Sequence, residues 1–337
     1  RFGAAQGRKA ANPLPCTRAC QVHCPAPRPD NNVAMMFSVS LISAAVAAIV
    51  LDALLGEPRR WHPLVGFGRL AMAVEQRLNR QGGVAAGALA VVITVLPGVL
   101  GVVLLLQVLP GWAGWGLQAL GLWLVIGGRS LAEHGRAVIV PLQGGDLTDA
   151  REQVGRMVSR DTADLDSDGV ARAATESVLE NGADALFASL FWFALAGLPG
   201  ALLHRLVNTL DAMWGYRTER FEQFGKVAAR LDDVLGWAPA RLTAISYALC
   251  GRFAASLRCW QQQARACDSP NAGPVMAAGA GALGVLLGGG APYHGGWKDK
   301  PWLGEGKAAS AVSIAAAITL MQRALALWLV VLLGVSL

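Results

Sequence analysis

The stretch VAAGALAVVITVLPGVLGVVLLLQVL, from Val84 to Leu109, contains no charged residue. A helix of that length crosses the roughly 30 Å hydrocarbon core of a bilayer with some tilt, and Pro97 is expected to kink it. The composition agrees, because 54% of the chain is hydrophobic and 15% is charged, whereas soluble domains carry roughly 25% charged residues. The sequence therefore predicts an all-α, polytopic integral membrane protein embedded in the lipid bilayer.

Further apolar stretches extend the predicted membrane region along the chain. Residues 37–55 are interpreted as an uncleaved anchor, because no polar cleavage region follows them. Residues 117–127 and 310–337 are predicted to span the membrane, and residues 242–260, which contain arginines, to lie at its interface. Together these stretches predict roughly four to six membrane segments.

The apolar residues 185–203 are interrupted by Gly197-Leu-Pro-Gly200. A full span here would place the basic residues of 204–241 outside the cell, against the positive-inside rule. Broken segments are tolerated in membranes where they line a protein cavity. We therefore predict a re-entrant or interfacial hairpin that turns at Gly197–Gly200.

The distribution of arginine predicts the orientation. The polar loop 57–83 is rich in arginine, whereas the turn 110–116 is uncharged and carries Trp112 and Trp115. Since basic loops stay inside and tryptophans favour the interface, the polar loops and the active face are expected in the cytoplasm. The same rule explains the net charge of +6. Nucleic-acid binding is not predicted, because the sequence shows no basic cluster interleaved with aromatic residues.

The start of the chain differs from the rest. Residues 1–34 are rich in Pro, Arg and Ala without periodicity, and Met35-Met36 follows directly. We interpret 1–34 as a disordered extension or an artefact of expression. Residues 35–337 are interpreted as one membrane domain, with its polar catalytic region at about 128–308. The extension contains Cys16, Cys20 and Cys24, but it lacks the second pair of ligands that a typical zinc site has.

Three carboxylates lie in the sequence Thr175-Glu-Ser-Val-Leu-Glu-Asn-Gly-Ala-Asp184. Glu176, Glu180 and Asp184 are four residues apart, so a helix would place them on one face, each about one turn above the last. Like charges stacked in this way repel one another, and a cation or a basic partner would remove that cost.

Two interpretations of this face stay open. Mg²⁺ prefers one or two carboxylates together with phosphate oxygens and water. The candidate metal ligands are Glu176, Glu180, Asp184 and Asp232. A solvated helix face with local ion pairs, such as Arg172 with Glu176, fits the same spacing.

Basic and amide side chains continue through the downstream polar sequence. Arginine can grip phosphate in a bidentate way, although the positive-inside rule explains the same arginines without a ligand. Asn271 lies in the turn Ser269-Pro-Asn-Ala-Gly273, whose backbone N–H groups suit an anion, and an ordinary loop is the alternative. The candidates for substrate or phosphate binding are Asn181, Asn208, Asp211, Arg217, Lys226, Arg230, Arg241 and Asn271.

The catalytic candidates are Glu180, Asp184 and His62. His62 precedes Pro63 and is a candidate base for an incoming ammonium group, with a structural hydrogen-bonding role as the alternative. Asp52 is expensive inside an apolar stretch and is a functional candidate, unless it pairs with an arginine of loop 57–83. No Ser-His-Asp or Cys-His arrangement is evident.

Eight motifs occur in an order that resembles one family. They are Leu51-Asp-Ala-Leu-Leu-Gly-Glu-Pro58, His62-Pro63, Glu176-x3-Glu180-Asn181-x2-Asp184, Val207-Asn-Thr-Leu-Asp-Ala-Met213, Arg230-Leu-Asp-Asp233, Pro239-Ala-Arg-Leu-Thr243, Ser269-Pro-Asn-Ala-Gly273 and Gly281-Ala-Leu-Gly284. Each is weak alone, but together they resemble the CbiB/CobD family of cobalamin-biosynthesis membrane proteins, the adenosylcobinamide-phosphate synthases. The resemblance covers nearly the whole chain from Met35 on. It departs at Gly182, which is expected to loosen the helix by about 1 kcal/mol relative to Ala.

The resemblance implies an enzyme of adenosylcobalamin (vitamin B12) biosynthesis in the bacterial inner membrane. The expected reaction is ATP-dependent formation of an amide between adenosylcobyric acid and aminopropanol or its phosphate. A carboxylate needs activation before it reacts with an amine, most simply as an acyl phosphate made from ATP. The expected cosubstrate and ion are ATP and Mg²⁺, no tightly bound prosthetic group is expected, and other corrinoid-pathway enzymes are candidate partners.

Two other functions fit parts of the sequence. A corrinoid transporter would also carry acids in or near broken helices, but no inverted repeat is visible and most acids cluster in long loops. A non-catalytic membrane sensor on the same scaffold would not need the carboxylates, which this chain retains. We therefore expect an ATP-dependent acid–amine ligase.

Overall fold

The computed structural model describes residues 31–58, 62–80, 82–293 and 296–335. The predictions about Cys16, Cys20 and Cys24, and about the extension up to residue 30, lie outside this part of the chain. The first helix already begins at Asn31, inside the stretch that the sequence predicts to be disordered.

The described part is mostly helical, which confirms the coarse fold prediction. A π-helical turn, Gly182–Ala188, and a 3₁₀ turn, Ala264–Ala266, accompany the α-helices. The α-helices are α1 (Asn31–Leu55), α2 (Pro63–Leu78), α3 (Val84–Val108), α4 (Gly111–Val125), α5 (Gly128–Gly144), α6 (Leu147–Gly155), α7 (Ser167–Asn181), α8 (Ser189–Trp214), α9 (Lys226–Cys250), α10 (Phe253–Gln263), α11 (Ala272–Leu283) and α12 (Ala311–Val335).

Short strands follow α11, so the prediction of an all-α fold is wrong for this segment. They are β1 (Leu286–Gly288), β2 (Ala291–Tyr293), β3 (Gly296–Lys298) and β4 (Trp302–Gly304), and they form two antiparallel pairs, β1 with β4 and β2 with β3. Leu287 and Leu303 pair across the first ladder and are buried. Gly288 has a φ of +77° and closely approaches the Pro301 carbonyl, which favours glycine at this position.

Within the described residues, three helical segments are long and apolar enough to cross a membrane: Val84–Val108, Ser167–Trp214 and Ala311–Gly334. The first agrees with the predicted span to within one residue and runs through Pro97 as one helix. Its outer side exposes large apolar residues, among them Leu89, Val92, Leu96, Leu100 and Leu104. These features are compatible with a membrane protein, while the number of spans stays a prediction.

Helix α8 is broken where the sequence predicts a hairpin. Ala196 and Gly197 have non-helical backbone angles, and Gly197 has a φ of +62°. Gly200 then comes so close to the Trp192 carbonyl that a Cβ would lie 2.5 Å from its oxygen. The kink is therefore a property of the fold, whereas its re-entrant position in a bilayer stays a prediction.

Two further segments differ from their predictions. The loop 57–83 contains the amphipathic helix α2, which starts at Pro63 and packs Leu64, Phe67 and Val74 against the core. Residues 242–260 do not form one interfacial segment, because α9 ends at Cys250 and α10 begins at Phe253, after a bend at Gly251.

Helix α7 lies at the centre of the core. Residues 169–171 and 173–179 are buried, and α7 contacts α5, α6, α11, α12 and β1. Small residues such as Ala171 and Ala174 allow this close packing on several sides. The acids on α7 are consequently held by a rigid, buried element.

Gly87 provides a test of the packing between α3 and the segment before α9. A Cβ at Gly87 would lie 1.9 Å from the Phe224 carbonyl oxygen, whereas one at Gly101 of the same helix meets nothing within 4 Å. We expect Gly87→Ala to destabilise the protein by about 1–3 kcal/mol, and Gly101→Ala to be neutral or mildly stabilising. Thermal unfolding in detergent measures both, and equal midpoints would contradict this packing.

Candidate functional site

The first acid of α7, Glu176, is fully engaged by protein groups. Its Oε1 accepts the Gly288 backbone N–H at 2.6 Å, and its Oε2 pairs with the Arg160 guanidinium. The local pair predicted for Glu176 is wrong, because Arg172 lies over the Trp302 ring, 5.1 Å from its centroid. Glu176 therefore ties α7 to β1 and to the segment before α7.

Glu180, one helical turn further, faces a cavity. It is half-buried and accepts no hydrogen bond from the residues that the structure describes. The cavity has a volume of about 210 Å³ and is also lined by Cys267, Asp268, Ser269, Lys298 and Lys300. Lys300 lies within electrostatic range of Glu180. This cavity brings an unpaired carboxylate next to lysine ammonium groups.

Asp184 does not line that cavity, and it lies in the π-helical turn that follows α7. Its hydrogen bonds run from i to i+5, so each turn holds more residues than an α-helical turn and the side chains rotate off the α-helical face. The turn begins at Gly182, where a Cβ would lie 3.1 Å from the Tyr247 hydroxyl and 3.2 Å from the Met321 sulfur. Asp184 lies within electrostatic range of Asp232, Glu180, Arg205 and Asp211.

Asp232 on α9 forms the centre of this second acidic group. Its Oδ1 accepts a hydrogen bond from the Asn208 amide of α8 at 3.2 Å. Burial, together with the neighbouring Asp211 charge, raises the pKa of Asp232 to about 7, although the bond from Asn208 acts in the opposite direction. A carboxyl group with such a pKa can exchange protons near neutral pH.

The predicted anion site at Asn271 is occupied by protein contacts. Asn271 stands immediately before α11 without a side-chain hydrogen bond to that helix; its Nδ2 donates to the Asp233 carbonyl at 2.9 Å, and its Oδ1 accepts from Arg241 at 3.2 Å. Arg241 also stacks on Trp237, 4.3 Å from the ring centroid. These contacts favour the alternative of a structural turn that braces α9 against α11.

The remaining binding candidates divide by position. Arg217 lies in electrostatic range of Asp268, which lines the Glu180 cavity. Lys226 is the first residue of α9, and Arg230 is exposed one turn later. Asn181 is exposed and donates to the Ser177 hydroxyl at 2.8 Å.

His62 and Asp52 both have structural partners. His62 is the N-cap of α2, and its Nδ1 accepts the Leu64 N–H at 3.3 Å. Asp52 Oδ2 accepts the backbone N–H of Arg129 at 2.9 Å, so its observed partner comes from α5 and not from loop 57–83, which was the alternative to a functional role. The structural alternative for His62 is therefore observed, while its catalytic role stays a prediction.

The donor set does not fit a preformed metal centre. No group of three or more His, Cys, Asp or Glu side chains able to hold an ion occurs among the described residues. Of the four candidate ligands, Glu176 is paired with Arg160, Glu180 lines the cavity, and Asp184 and Asp232 lie in the second acidic group. Magnesium binding thus stays a prediction, without a site assembled in advance.

Sequence reasoning missed several residues that shape this region. Arg160 pairs with Glu176, the Gly288 N–H donates to Glu176, and Arg205 lies within electrostatic range of Glu57 and Asp184. The sequence indicated these residues only through their type and position, because Arg160 and Arg205 are basic residues in polar stretches and Gly288 lies in a glycine-rich stretch. Their partners are 16, 112 and more than 20 residues away in sequence, so local spacing does not reveal them.

Together, the fold and these side chains define a helical protein with candidate membrane-spanning helices and a buried region of carboxylates and basic groups. A family model described as CobD/Cbib protein matches residues 45–321, and the chain belongs to that family. The family membership expected from the motifs is thereby confirmed.

Individual relatives match over most of the chain. The cobalamin biosynthesis protein CobD of Stutzerimonas stutzeri is 55% identical, covering 88% of this chain and 98% of the relative. The protein of the same name from Chromobacterium violaceum is 55% identical, covering 83% and 92%. That of Mycobacterium tuberculosis is 40% identical, covering 85% and 94%. No solved structure matches this chain.

Proposed function

We propose that this protein acts in cobalamin biosynthesis by ATP-dependent formation of an amide between adenosylcobyric acid and aminopropanol or its phosphate. Family membership and the names of the relatives support the pathway. The structural observation that carries the reaction is Glu180, a carboxylate without a hydrogen-bond partner in the described part of the chain. It faces a cavity with Lys298 and Lys300.

The proposed chemistry has two steps. A propionate carboxylate of the corrin attacks the γ-phosphorus of ATP, and ADP leaves as the acyl phosphate forms. The amine then attacks the acyl carbon, and phosphate leaves while the amine loses a proton. Lys298 and Lys300 would hold phosphate oxygens, since an ammonium group has three donors and Lys298 uses one on Asp268 at 2.7 Å.

Magnesium enters this proposal with the nucleotide. Mg²⁺ usually binds through one or two carboxylates plus phosphate oxygens and water, and it would supply charge neutralisation of the phosphates. Glu180 is the described residue that we assign to such an ion, because it is unpaired and borders the lysines. We do not assign Glu176 to that role, because its carboxylate is paired with Arg160.

The proposal also covers location. The arginine-rich sequence 57–83 favours a cytoplasmic position for the polar face, in a bacterial cell membrane. ATP and the corrinoid would then reach the site from the cytoplasm, where other corrinoid-pathway enzymes could deliver the substrates.

The decisive experiment measures ADP release by the full-length protein in detergent. It receives Mg-ATP, adenosylcobyric acid and aminopropanol phosphate, and each is omitted in turn. Release that needs all three, with a product heavier than the corrinoid by the amine minus water, supports the ligase. Corrinoid binding without turnover would favour a transporter or a sensor and would contradict the proposal.

We assign to Asp232 the role of accepting the proton that the amine loses, and the pH dependence of the rate tests this assignment. A base must be deprotonated, and Asp232 is protonated below its pKa of about 7. We therefore expect kcat/KM to rise with pH through about 7 and then level off. Asp232→Asn should lower the rate about 100-fold and remove that rise, measured as ADP release between about pH 5.5 and 8.5. A variant that keeps the wild-type pH profile would contradict this role.

A further inference from the structure

A second, larger cavity lies away from Glu180. Its volume is about 1220 Å³, and it shares no lining residue with the Glu180 cavity. Charged and imidazole side chains of both polarities line it: Glu57, His62, Arg69, Glu133, His134 and Arg205. We call it the Arg205 cavity. A pocket that combines cationic and anionic groups suits a small ligand that carries both charges.

Arg205 is the strongest indication of an anionic ligand. Its Nε is buried and has no hydrogen-bond partner in the described part of the chain, and the side chain forms no ion pair there. The nearest carboxylates, Glu57 and Asp184, act on it only through longer-range electrostatics. Arg205 as a whole is half-buried, but a buried guanidinium N–H without an acceptor is costly, so a bound oxyanion would remove a penalty that the fold otherwise carries.

His62 contributes a second unused donor. Its Nδ1 accepts the Leu64 N–H at 3.3 Å, so the neutral ring carries its proton on Nε2. That Nε2 is buried and has no partner among the described residues. Two orphan N–H donors, on Arg205 and His62, thus line one cavity and match the oxygens of a phosphate.

Acceptors on the same cavity suit an ammonium group. Glu57 makes no hydrogen bond to the described residues, whereas Glu133 is already paired with Arg129 at 2.6 Å. The Nδ1 of His134 donates to the Ser130 carbonyl at 2.8 Å, which leaves its Nε2 as an acceptor. Glu57 is therefore the carboxylate available for a cation, with His134 as a neighbouring acceptor.

From this arrangement we propose that the Arg205 cavity binds a phosphate ester of a small amino alcohol. Arg205 and His62 bind the phosphate oxygens, and Glu57 binds the ammonium group. The inference rests on the proposed function, in which such an ester supplies the amine. The same chemistry occurs in an aminoalkyl phosphate free in solution and in a lipid headgroup, and the volume leaves room for a second reactant beside the amine.

Calorimetric titration of the full-length protein in detergent, without ATP, tests this site. The probes are aminopropanol phosphate, inorganic phosphate and unphosphorylated aminopropanol. We expect the ester to bind best, because it alone engages both ends of the cavity. Arg205→Met should weaken ester binding about 10- to 100-fold, the usual range for a lost charge-assisted hydrogen bond. The exposed Arg156→Met, which removes a surface partner of Glu152, should leave binding unchanged.

A second variant guards against unfolding. His62→Asn keeps an oxygen that can cap α2, since Asn is a favoured N-cap, but loses the Nε2 donor. It should weaken the ester and inorganic phosphate by similar factors and leave aminopropanol unaffected. Wild-type ester affinity in both folded variants would overturn the proposal.

One comparison distinguishes a free ester from a lipid headgroup as the ligand, and another distinguishes failure of the site from failure of the proposed ligase function. Loss of ester binding in nanodiscs containing phosphatidylethanolamine, but not in phosphatidylcholine discs, would identify a lipid headgroup as the occupant, and retained binding would identify the free ester. Ester binding that depends on Arg205 in a protein without ligase activity would leave the site standing and the proposed function refuted. Ligation with normal ester affinity in Arg205→Met would refute the site alone.

Discussion

Replacing Glu180 by Gln is expected to lower corrinoid-dependent ADP release about 1000-fold. The amide keeps the size of the side chain but removes the charge that we assign to the magnesium chelate of ATP, and lost electrostatic stabilisation of this kind costs about 10²–10³ in rate. Because Glu180 has no hydrogen-bond partner among the described residues, the thermal unfolding midpoint of the Glu180→Gln protein should stay near that of the wild type.

A matched control lies on the same helix. Asp168 is exposed in the first turn of α7 and does not line the Glu180 cavity. The Asp168→Asn variant should therefore retain nearly full activity. Turnover at the wild-type rate in Glu180→Gln would show that the Glu180 cavity is not the site of phosphoryl transfer. Loss of activity in both variants would point to a general electrostatic effect of α7.

Replacing Arg160 by Met should destabilise the protein by about 3–5 kcal/mol, the largest stability effect that we expect. The side chains of Arg160 and Glu176 are 10% and 5% exposed, so the substitution leaves a buried carboxylate without its cation. Thermal or denaturant unfolding in detergent measures the change. The surface variant Arg156→Met should change stability by less than about 1 kcal/mol.

The double variant separates the charge from the packing. Arg160→Met with Glu176→Gln removes both charges, and the amide oxygen can still accept the Gly288 N–H. We therefore expect the double variant to be more stable than Arg160→Met alone, a clear departure from additivity. Additive losses would indicate that Arg160 stabilises the fold by packing rather than by pairing with Glu176.

Features that depend on continuous apolar length were predictable from the sequence. The span at Val84 was predicted to within one residue, and the break at Gly197 followed from adjacent glycine and proline. Helix α2 was missed although Leu64, Phe67, Ala71, Val74 and Leu78 recur at helical spacing. The many arginines of residues 57–83 favoured a loop, whereas the two that lie in α2, Arg69 and Arg77, are exposed on its solvent side.

Other elements had no adequate local signal. Each strand near the Glu180 cavity has three residues, too short for an alternating pattern, and the strands form because the chain returns to pair β1 with β4. At the site, the four-residue spacing predicted that Glu176 and Glu180 lie on the same face of α7, and both line the Glu180 cavity. Asp184 lies in the π-helical turn that begins at Gly182, and Gly182 packs against Tyr247 of α9 and Met321 of α12, contacts that no local window contains.

The π-helical turn has a consequence for comparing sequences within this family. The register between Glu180 and Asp184 depends on how many residues the turn holds, so chain length between Gly182 and Ala188 is itself a functional variable. A homologue shorter by one residue there would return to a continuous α-helix and change the directions in which the side chains of this segment point. In an alignment, a single gap in this segment would therefore signal altered chemistry even where every acidic residue is retained.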